Sequence, residues 1–357
     1  MNKNKWSLFL RPLYQPVFAI LLALLVGAVI ILINGENPFE IYGVMIKGSF
    51  GSLYYTLTTL NRATPIIICG LGAAIAWSSN YMGIGGEGQM IWGGFICSIL
   101  ALHTPGPTWL KMIVAVVGAL IFGGLYSMLS AWLLDKFKMS LAISTLMLNY
   151  IAQYVTLHFV TNVFLDESGD KKVMQTSMLD ETLRFPRLVE GYSLHIGFLF
   201  AVIMVAVMWF VVNKTTFGYE SKMTGYNIDF CNYGGIGSKK IMYGVLFLSG
   251  VICAFAGASE VLGVQYRYVH NTYVSGSFAW VGLNAALISN YNPIGVLVTS
   301  IILAGIQTGG AAIARSTPIP MEISSVIQGC ITLFISAKIV INFVKSKKNA
   351  KAATKEG

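Results

Sequence analysis

Residues 215–236 read T-T-F-G-Y-E-S-K-M-T-G-Y-N-I-D-F-C-N-Y-G-G-I, and residues 241–262 read I-M-Y-G-V-L-F-L-S-G-V-I-C-A-F-A-G-A-S-E-V-L. The second stretch is long and apolar enough to cross a bilayer as one helix, since about 20 such residues span the hydrocarbon. The first is polar and of mixed charge, is punctuated by Gly218, Gly225 and Gly235, and has a short helical pattern at its centre. Another apolar run, 194–212, precedes it. A structured polar segment lodged between two spans is what a membrane channel needs if something outside the bilayer must push on it.

The rest of the chain fits a membrane protein. Hydrophobic residues make up 55% of the 357 residues and charged residues only 11%, whereas a water-soluble domain carries about 25%. At about 20 residues per span, eight to ten spans fit. Apolar runs lie near 17–33, 63–79, 84–101, 111–134, 140–161, 194–212, 241–262, 277–290, 293–311 and 323–344. The expected fold is therefore all-α, a polytopic bundle of about ten spans within one membrane domain (1–344), followed by a basic tail (345–357). The run at 17–33 reads as a retained first helix rather than a cleaved signal, because no small-residue cleavage site follows it. The segment at 277–290 is short, flanked by Gly276 and Gly282, and reads as a half-helix or re-entrant piece. Residues 41–60 read as an amphipathic stretch along the outer interface, with a short span as the alternative. Gly305 and Gly309, at G-x-x-x-G spacing, allow close helix contact.

The formal charge of +9 reflects topology rather than nucleic acid. Lys3, Lys5 and Arg11 precede the first span, and five lysines from Lys345 to Lys355 follow the last. Positive flanks stay in the cytoplasm, so both termini are expected inside, with the 213–240 loop inside and the 162–193 loop outside. That outer loop carries six acidic residues against four basic ones, in keeping with the assignment.

Chemistry has little to build on. Gly83-Ile84-Gly85-Gly86-Glu87-Gly88 matches G-x-G-x-x-G, but hydrophobic helices flank it in place of the βαβ unit a dinucleotide site needs. There is no phosphate loop, so the chain does not hydrolyse ATP. Cys69, Cys97, Cys231, Cys253 and Cys330 have no C-x-x-C spacing and read as buried hydrophobes. The four histidines form no metal-ligand pattern and no nucleophile elbow occurs, so neither a metal site nor a catalytic residue is expected. Glu87 stands near the N-terminus of an apolar helix that Ser79 or Asn80 could cap, and its place near the expected cytoplasmic end favours a structural cap or an inter-helix tether over substrate contact. Asn149 and Gln153 share one helix face, as glue or as path lining; Asn284, Gln307 and Gln328 are similar. Glu260 reads as lying near the outer end of its helix and Arg315 as lying in an outer loop, each solvated or touching a docked partner. The spans carry no evident mid-membrane carboxylate or arginine, which argues against a charged substrate.

Three stretches carry a family resemblance. Ile84-Gly85-Gly86-Glu87-Gly88-Gln89 is similar to the signature N-I-G-x-E-G-Q. Thr216-Phe217-Gly218, Gly225-Tyr226-Asn227 and Tyr233-Gly234-Gly235-Ile236 are similar to T-x-F-G, A-x-G-x-N and A-A-x-Y-x-G-I. Glu260-Val261-Leu262-Gly263, Gly282-Leu283-Asn284-Ala285-Ala286-Leu287-Ile288 and Asn292-Pro293-Ile294-Gly295 complete the match. Together they cover about half the chain and resemble the permease subunits of bacterial ABC importers for simple sugars, branched-chain amino acids and nucleosides. The likeness is strongest to nucleoside permeases served by basic-membrane-protein-type lipoprotein receptors. Departures are Gly83 for the leading Asn, Ile228 where Pro is common, and Phe230-Cys231 where two Ala are usual, so Phe230 should protrude.

The resemblance implies a type II-like importer permease in the bacterial plasma membrane. It would bind no cofactor of its own, with ATP and Mg held by a cytoplasmic ABC ATPase. An external substrate-binding lipoprotein, membrane lipid and a second permease subunit (a related chain or a second copy) would complete its partners, with no nucleic acid. The 213–240 segment would be the coupling helix, with Tyr226, Ile228, Phe230 and Tyr233 as buried anchors in an ATPase groove. The implied cargo is a nucleoside; a simple sugar is the alternative within the branch. An ion-coupled secondary transporter or a membrane-embedded enzyme are the rivals outside it.

Overall fold

The computed structural model describes residues 24–33, 35–166, 173–316, 325–326 and 329–330. Residues 17–23 of the first expected span, all of the 323–344 span but residues 325–326 and 329–330, and the basic tail lie outside the described residues, Gln328 among them. The described residues are helical, with two isolated bridges and no strand among them. The chain divides into two units, 1–56 with 305–357, and 57–304.

In the first unit, α1 (Leu24–Ile33) and α2 (Pro38–Phe50) meet at a 120° bend. Asn37 starts α2 by accepting a hydrogen bond from Phe39 N (3.1 Å), and Pro38 fills the first turn, where its missing N–H does no harm. The C-terminal turns of α13 (Pro293–Ser316) pack on α2. A Cβ on Gly309 would fall 2.6 Å from Met45 O, so the expected small-residue contact is realised, with Ser49 Oγ donating to Gly305 O.

The second unit is the bundle. Its helices are α3 (Leu53–Ser78), α4 (Gly86–His103), α5 (Thr108–Phe137), α6 (Leu141–Asn162), α7 (Gly197–Lys214), α8 (Thr216–Tyr226), α9 (Ile228–Tyr233), α10 (Ser238–Glu260), α11 (Thr272–Gly276) and α12 (Phe278–Ile288), with the start of α13. Helices α3, α5, α7, α10 and α13 are each long and apolar enough to cross a membrane. The apolar windows of α3 and α10 are 78% and 72% buried against 33% and 22% for α5 and α7. The first two are therefore interior helices and the last two lie at the periphery of the described bundle, with Ile113, Val117, Ile121 and Leu125 an exposed apolar stripe along α5. Helix α4 touches α10 backbone to backbone: a Cβ on Gly257 would lie 2.0 Å from Met90 O.

Helix α12 covers the expected short segment and, at 11 residues, is roughly 16 Å long, about half a bilayer. The interfacial reading of 41–60 needs correction, because Leu53–Leu60 is the first part of α3, which runs unbroken through Pro65. Proline is tolerated inside membrane helices where neighbours satisfy the freed carbonyl. The 162–193 loop is tied to the bundle where described: Thr176 and Leu179 donate backbone bonds to Tyr268 O and Tyr266 O, and Leu179, Leu183 and Phe185 bury against the ends of α4, α5 and α10.

Candidate functional site

The polar segment 215–236 folds as two short helices. Thr215 Oγ1 accepts from Gly218 N (3.2 Å) to begin α8. Asn227 ends α8 and begins α9, its Oδ1 accepting from Phe230 N (3.0 Å). Gly235, at φ +81°, takes the left-handed turn after α9 that a side chain would resist. One side of the pair is seated on the bundle. Cys231 is buried, Ser221 and Ser79 join hydroxyl to hydroxyl, and Gly225 lies so close to the turn after α3 that a Cβ there would meet Ser78 O at 2.6 Å. The other side is bare: Tyr226 is 84% exposed, Phe230 70% and Tyr233 93%, with Ile228 also exposed. Phe230 protrudes as its place in the sequence suggested.

The Gly83–Gln89 stretch is held by α6. Thr145 Oγ1 accepts from Ile84 N (2.9 Å), Asn149 Oδ1 from Gly88 N (2.8 Å), and Asn149 Nδ2 donates to Ile84 O (2.8 Å). Capping of α4 by Ser79 or Asn80 is not what occurs: Gly85 is the N-cap and the capping groups come from another helix. Glu87 is an inter-helix tether, its Oε2 accepting from Trp280 Nε1 of α12 (2.9 Å). Gln89 Nε2 donates to Ser127 Oγ (3.0 Å), while its Oε1 is buried without a partner.

Between these elements runs a cleft lined by Cys69 and Ala73 of α3, Glu87 and Gln89 of α4, Thr145 of α6, Ser249 and Cys253 of α10, and Trp280 of α12. Its room is about 30 Å³, enough for one water and too little for an organic solute. Asn149, Gln153 and Asn284 do not line it: Asn149 spends its amide on the loop, and Gln153 and Asn284 are half-buried on α6 and α12. Gln307 is buried on the part of α13 that belongs to the other unit.

The structure corrects the sequence reading at Glu260. It is 4% exposed, not solvated. The helix continues past it through a π-turn, Val261–Gln265, so the residue lies five positions inside the helical end. The charge that acts on it is Arg62 of α3, a half-buried residue absent from the sequence reading. A hydropathy window opening at residue 63 hid it; the signal was an apolar pattern reaching back to Leu53. The bundle thus contains a buried carboxylate and an arginine.

No metal-binding cluster of His, Cys, Asp and Glu occurs among the described residues. A family model described as branched-chain amino acid transport system / permease component matches residues 55–336. The chain belongs to this permease family. The permease is 31% identical over 348 residues to the guanosine ABC transporter permease protein NupP of Bacillus subtilis, covering 96% of this chain and 99% of that protein. It is 28% identical over 358 residues to the nucleoside ABC transporter permease protein NupB of Lactococcus lactis, covering 97% and 98%. It is 24% identical over 330 residues to the glucose ABC transporter permease protein TsgB13 of Haloferax volcanii, covering 90% and 86%. No solved structure matches. The permease is accordingly the membrane-spanning transport subunit of an ABC importer, a multi-pass plasma-membrane protein that works with a separate ATPase subunit.

Proposed function

We propose that this permease carries nucleosides, delivered by an external substrate-binding lipoprotein, and that α8 and α9 are the coupling helices on which the ATPase acts. The observation that carries the coupling role is the two-sidedness of the segment, with Tyr226, Phe230 and Tyr233 bare on one side and Gly225, Ser221 and Cys231 locked to the bundle on the other. Aromatic side chains on a rigid support are the usual anchors of helix-in-groove contacts. Closure of an ATPase pair around ATP and Mg would push on this face, and the seat at Ser78 and Ser79 would pass the motion into α3. Because α3 lines the cleft, such motion would widen it from its one-water state.

The basic termini support an orientation with both termini in the cytoplasm. Asp135 near the end of α5 pairs with Lys239 at the start of α10 (2.8 Å), so the end of α5 would share whichever side α9 and the start of α10 occupy. On this reading the cleft residues Gln89, Thr145, Ser249 and Trp280 bring amide, hydroxyl and aromatic groups suited to a nucleoside to the path, while the Glu87 carboxylate is held by Trp280. The names of the relatives NupP and NupB favour this cargo, and the glucose relative keeps a simple sugar as the second reading. A second permease subunit, related or identical, would complete the passage.

Reconstitution with the ATPase and receptor tests the reading. Nucleoside uptake into proteoliposomes should require ATP, and uptake driven by an ion gradient alone would refute it. Phe230→Asp should abolish ATPase co-purification while the permease remains inserted.

A further inference from the structure

Beside the seat of α8 lies a second, larger cavity of about 430 Å³. Small-molecule sites run from about 300 to 1,000 Å³, so this one admits an organic solute, which the one-water cleft does not. Four parts of the bundle meet around it. They are the end of α3 at Trp77 and Asn80, the end of α7 at Asn213, α8 from Lys222 to Tyr226, and the turn from α12 to α13 at Asn290 and Tyr291.

Its wall has the chemistry of a binding site. Trp77 Nε1 donates to Gly83 O (2.8 Å), which fixes the indole, and the Tyr291 ring centroid lies 6.5 Å from it with the rings tilted at 55°. Asn80, Asn290 and Tyr291 hold left-handed backbone, at φ +63°, +50° and +64°. Asparagine accepts that region where a helix ends, but a tyrosine there is strained, and such strain collects at ligand sites. The exposed amides of Asn80 and Asn290 offer donors and acceptors together. Asn213 accepts from Lys222 Nζ (3.0 Å) and donates to Trp209 O (3.0 Å), so the ammonium is held in place. Lys222 is the one charged residue among the described residues that line the cavity, and the carbonyl ends of α3, α7, α8 and α12 set partial negative charge against it. That balance suits a neutral solute with an aromatic ring and several hydrogen-bonding groups.

We propose that this cavity is an inhibitory site for the transported solute after it has entered the cell, a neutral nucleoside whose base lies against Trp77 and Tyr291 and whose polar groups bond to Asn80, Asn290 and Lys222. The inference rests on the nucleoside reading and on α8 facing the cytoplasm. Its effect follows from what the cavity joins. Gly225 and Ser78, the close contact through which α8 is seated on α3, both stand on its wall. A solute bonded at once to α3, α8 and the turn after α12 stabilises the arrangement it binds. Those elements must shift when the ATPase pushes on α8, so accumulated cargo slows its own import.

The experiment uses the complete importer in proteoliposomes, with ATP and unlabelled guanosine in the lumen on the ATPase side and labelled guanosine with receptor outside. The initial uptake rate should fall as lumenal guanosine rises. Half-inhibition should need roughly fivefold more guanosine in Asn290→Gly, which keeps the left-handed turn but loses about one hydrogen bond. Tyr291→Asn, which removes the ring, should shift it similarly, whereas Tyr291→Phe should be inhibited like the unaltered protein. All three variants should import at the unaltered rate when the lumen holds no guanosine. Uptake that lumenal guanosine does not slow, or equal inhibition in Asn290→Gly and Tyr291→Asn, overturns the proposal. If the unaltered importer takes up no nucleoside even without lumenal guanosine, the cargo reading fails, and equilibrium binding of labelled guanosine to the receptor-free permease–ATPase complex decides the site by itself. Binding weakened about fivefold in the two variants supports it; no binding, or binding equal in both variants and the unaltered protein, overturns it.

Discussion

Replacing Gly225 by Ala separates the two faces of the coupling segment. The new Cβ would lie 2.6 Å from Ser78 O and 3.0 Å from the Ser79 backbone. Those are main-chain atoms that cannot rotate aside, so α8 must retreat by roughly 0.8 Å to reach ordinary contact distance. Overpacking of this kind costs about 1–3 kcal/mol, and the retreat also stretches the hydroxyl contact between Ser221 and Ser79, worth about 1 kcal/mol. Because every 1.4 kcal/mol is a factor of ten, a strain that falls on the coupled movement should lower uptake per ATP hydrolysed by roughly tenfold. The aromatic face is untouched, so the ATPase should still co-purify and hydrolyse ATP. The assay measures nucleoside uptake and phosphate release in the same proteoliposomes. Unchanged uptake per ATP in Gly225→Ala would refute the idea that this seat transmits force.

Other perturbations probe the bundle. Gly257→Ala, whose Cβ would meet Met90 O at 2.0 Å, should force α4 and α10 apart and lower stability by about 1–3 kcal/mol, seen as a lower thermal midpoint; an unchanged midpoint would contradict the close contact. Asn149→Leu removes both bonds to the Ile84–Gly88 loop, at about 0.6–2 kcal/mol each, and should reduce stability while leaving the ratio of transported nucleosides unchanged. A change in that ratio would instead place Asn149 in the path. Burial pushes the His195 imidazole down to about 4 from its usual 6.5. The unfolded chain therefore takes up the proton first, and stability that is full above about pH 6.5 is lost as the pH falls toward 4, by about 2 kcal/mol at pH 5. His195→Gln should flatten this acid dependence in thermal melts, and equal slopes in both proteins would exclude His195 as its source.

What the sequence revealed and what it hid follow from the range of the interactions. The apolar runs that became α5, α7, α10 and α13 were legible because an unbroken apolar stretch long enough to span is a property of each segment alone, whichever way the helix faces. The Gly305–Gly309 contact was legible for the same reason, as spacing along one helix. The start of α3 was not, since Asn61 and Arg62 interrupt the apolar pattern and only burial inside the bundle explains them. Glu260 was misplaced because the π-turn that extends its helix leaves no mark in the order Val261-Leu262-Gly263. The partners of Asn149 lie more than 60 residues away on another element, so helical periodicity showed its face but not that its amide is already spent. The exposed aromatics of α9 could be named in advance because the segment is polar around them, whereas its seat on Ser78 and Ser79 required the fold.

The central claim, that mechanical work enters through α8 and α9, is tested most directly at Tyr233, the most exposed anchor. A Tyr233→Cys permease in the assembled importer should be shielded from an impermeant maleimide in intact cells and should cross-link to the ATPase subunit, with the link shifting when ATP is bound. Labelling from outside the cell, or no cross-link to any nucleotide-hydrolysing subunit, would contradict the account.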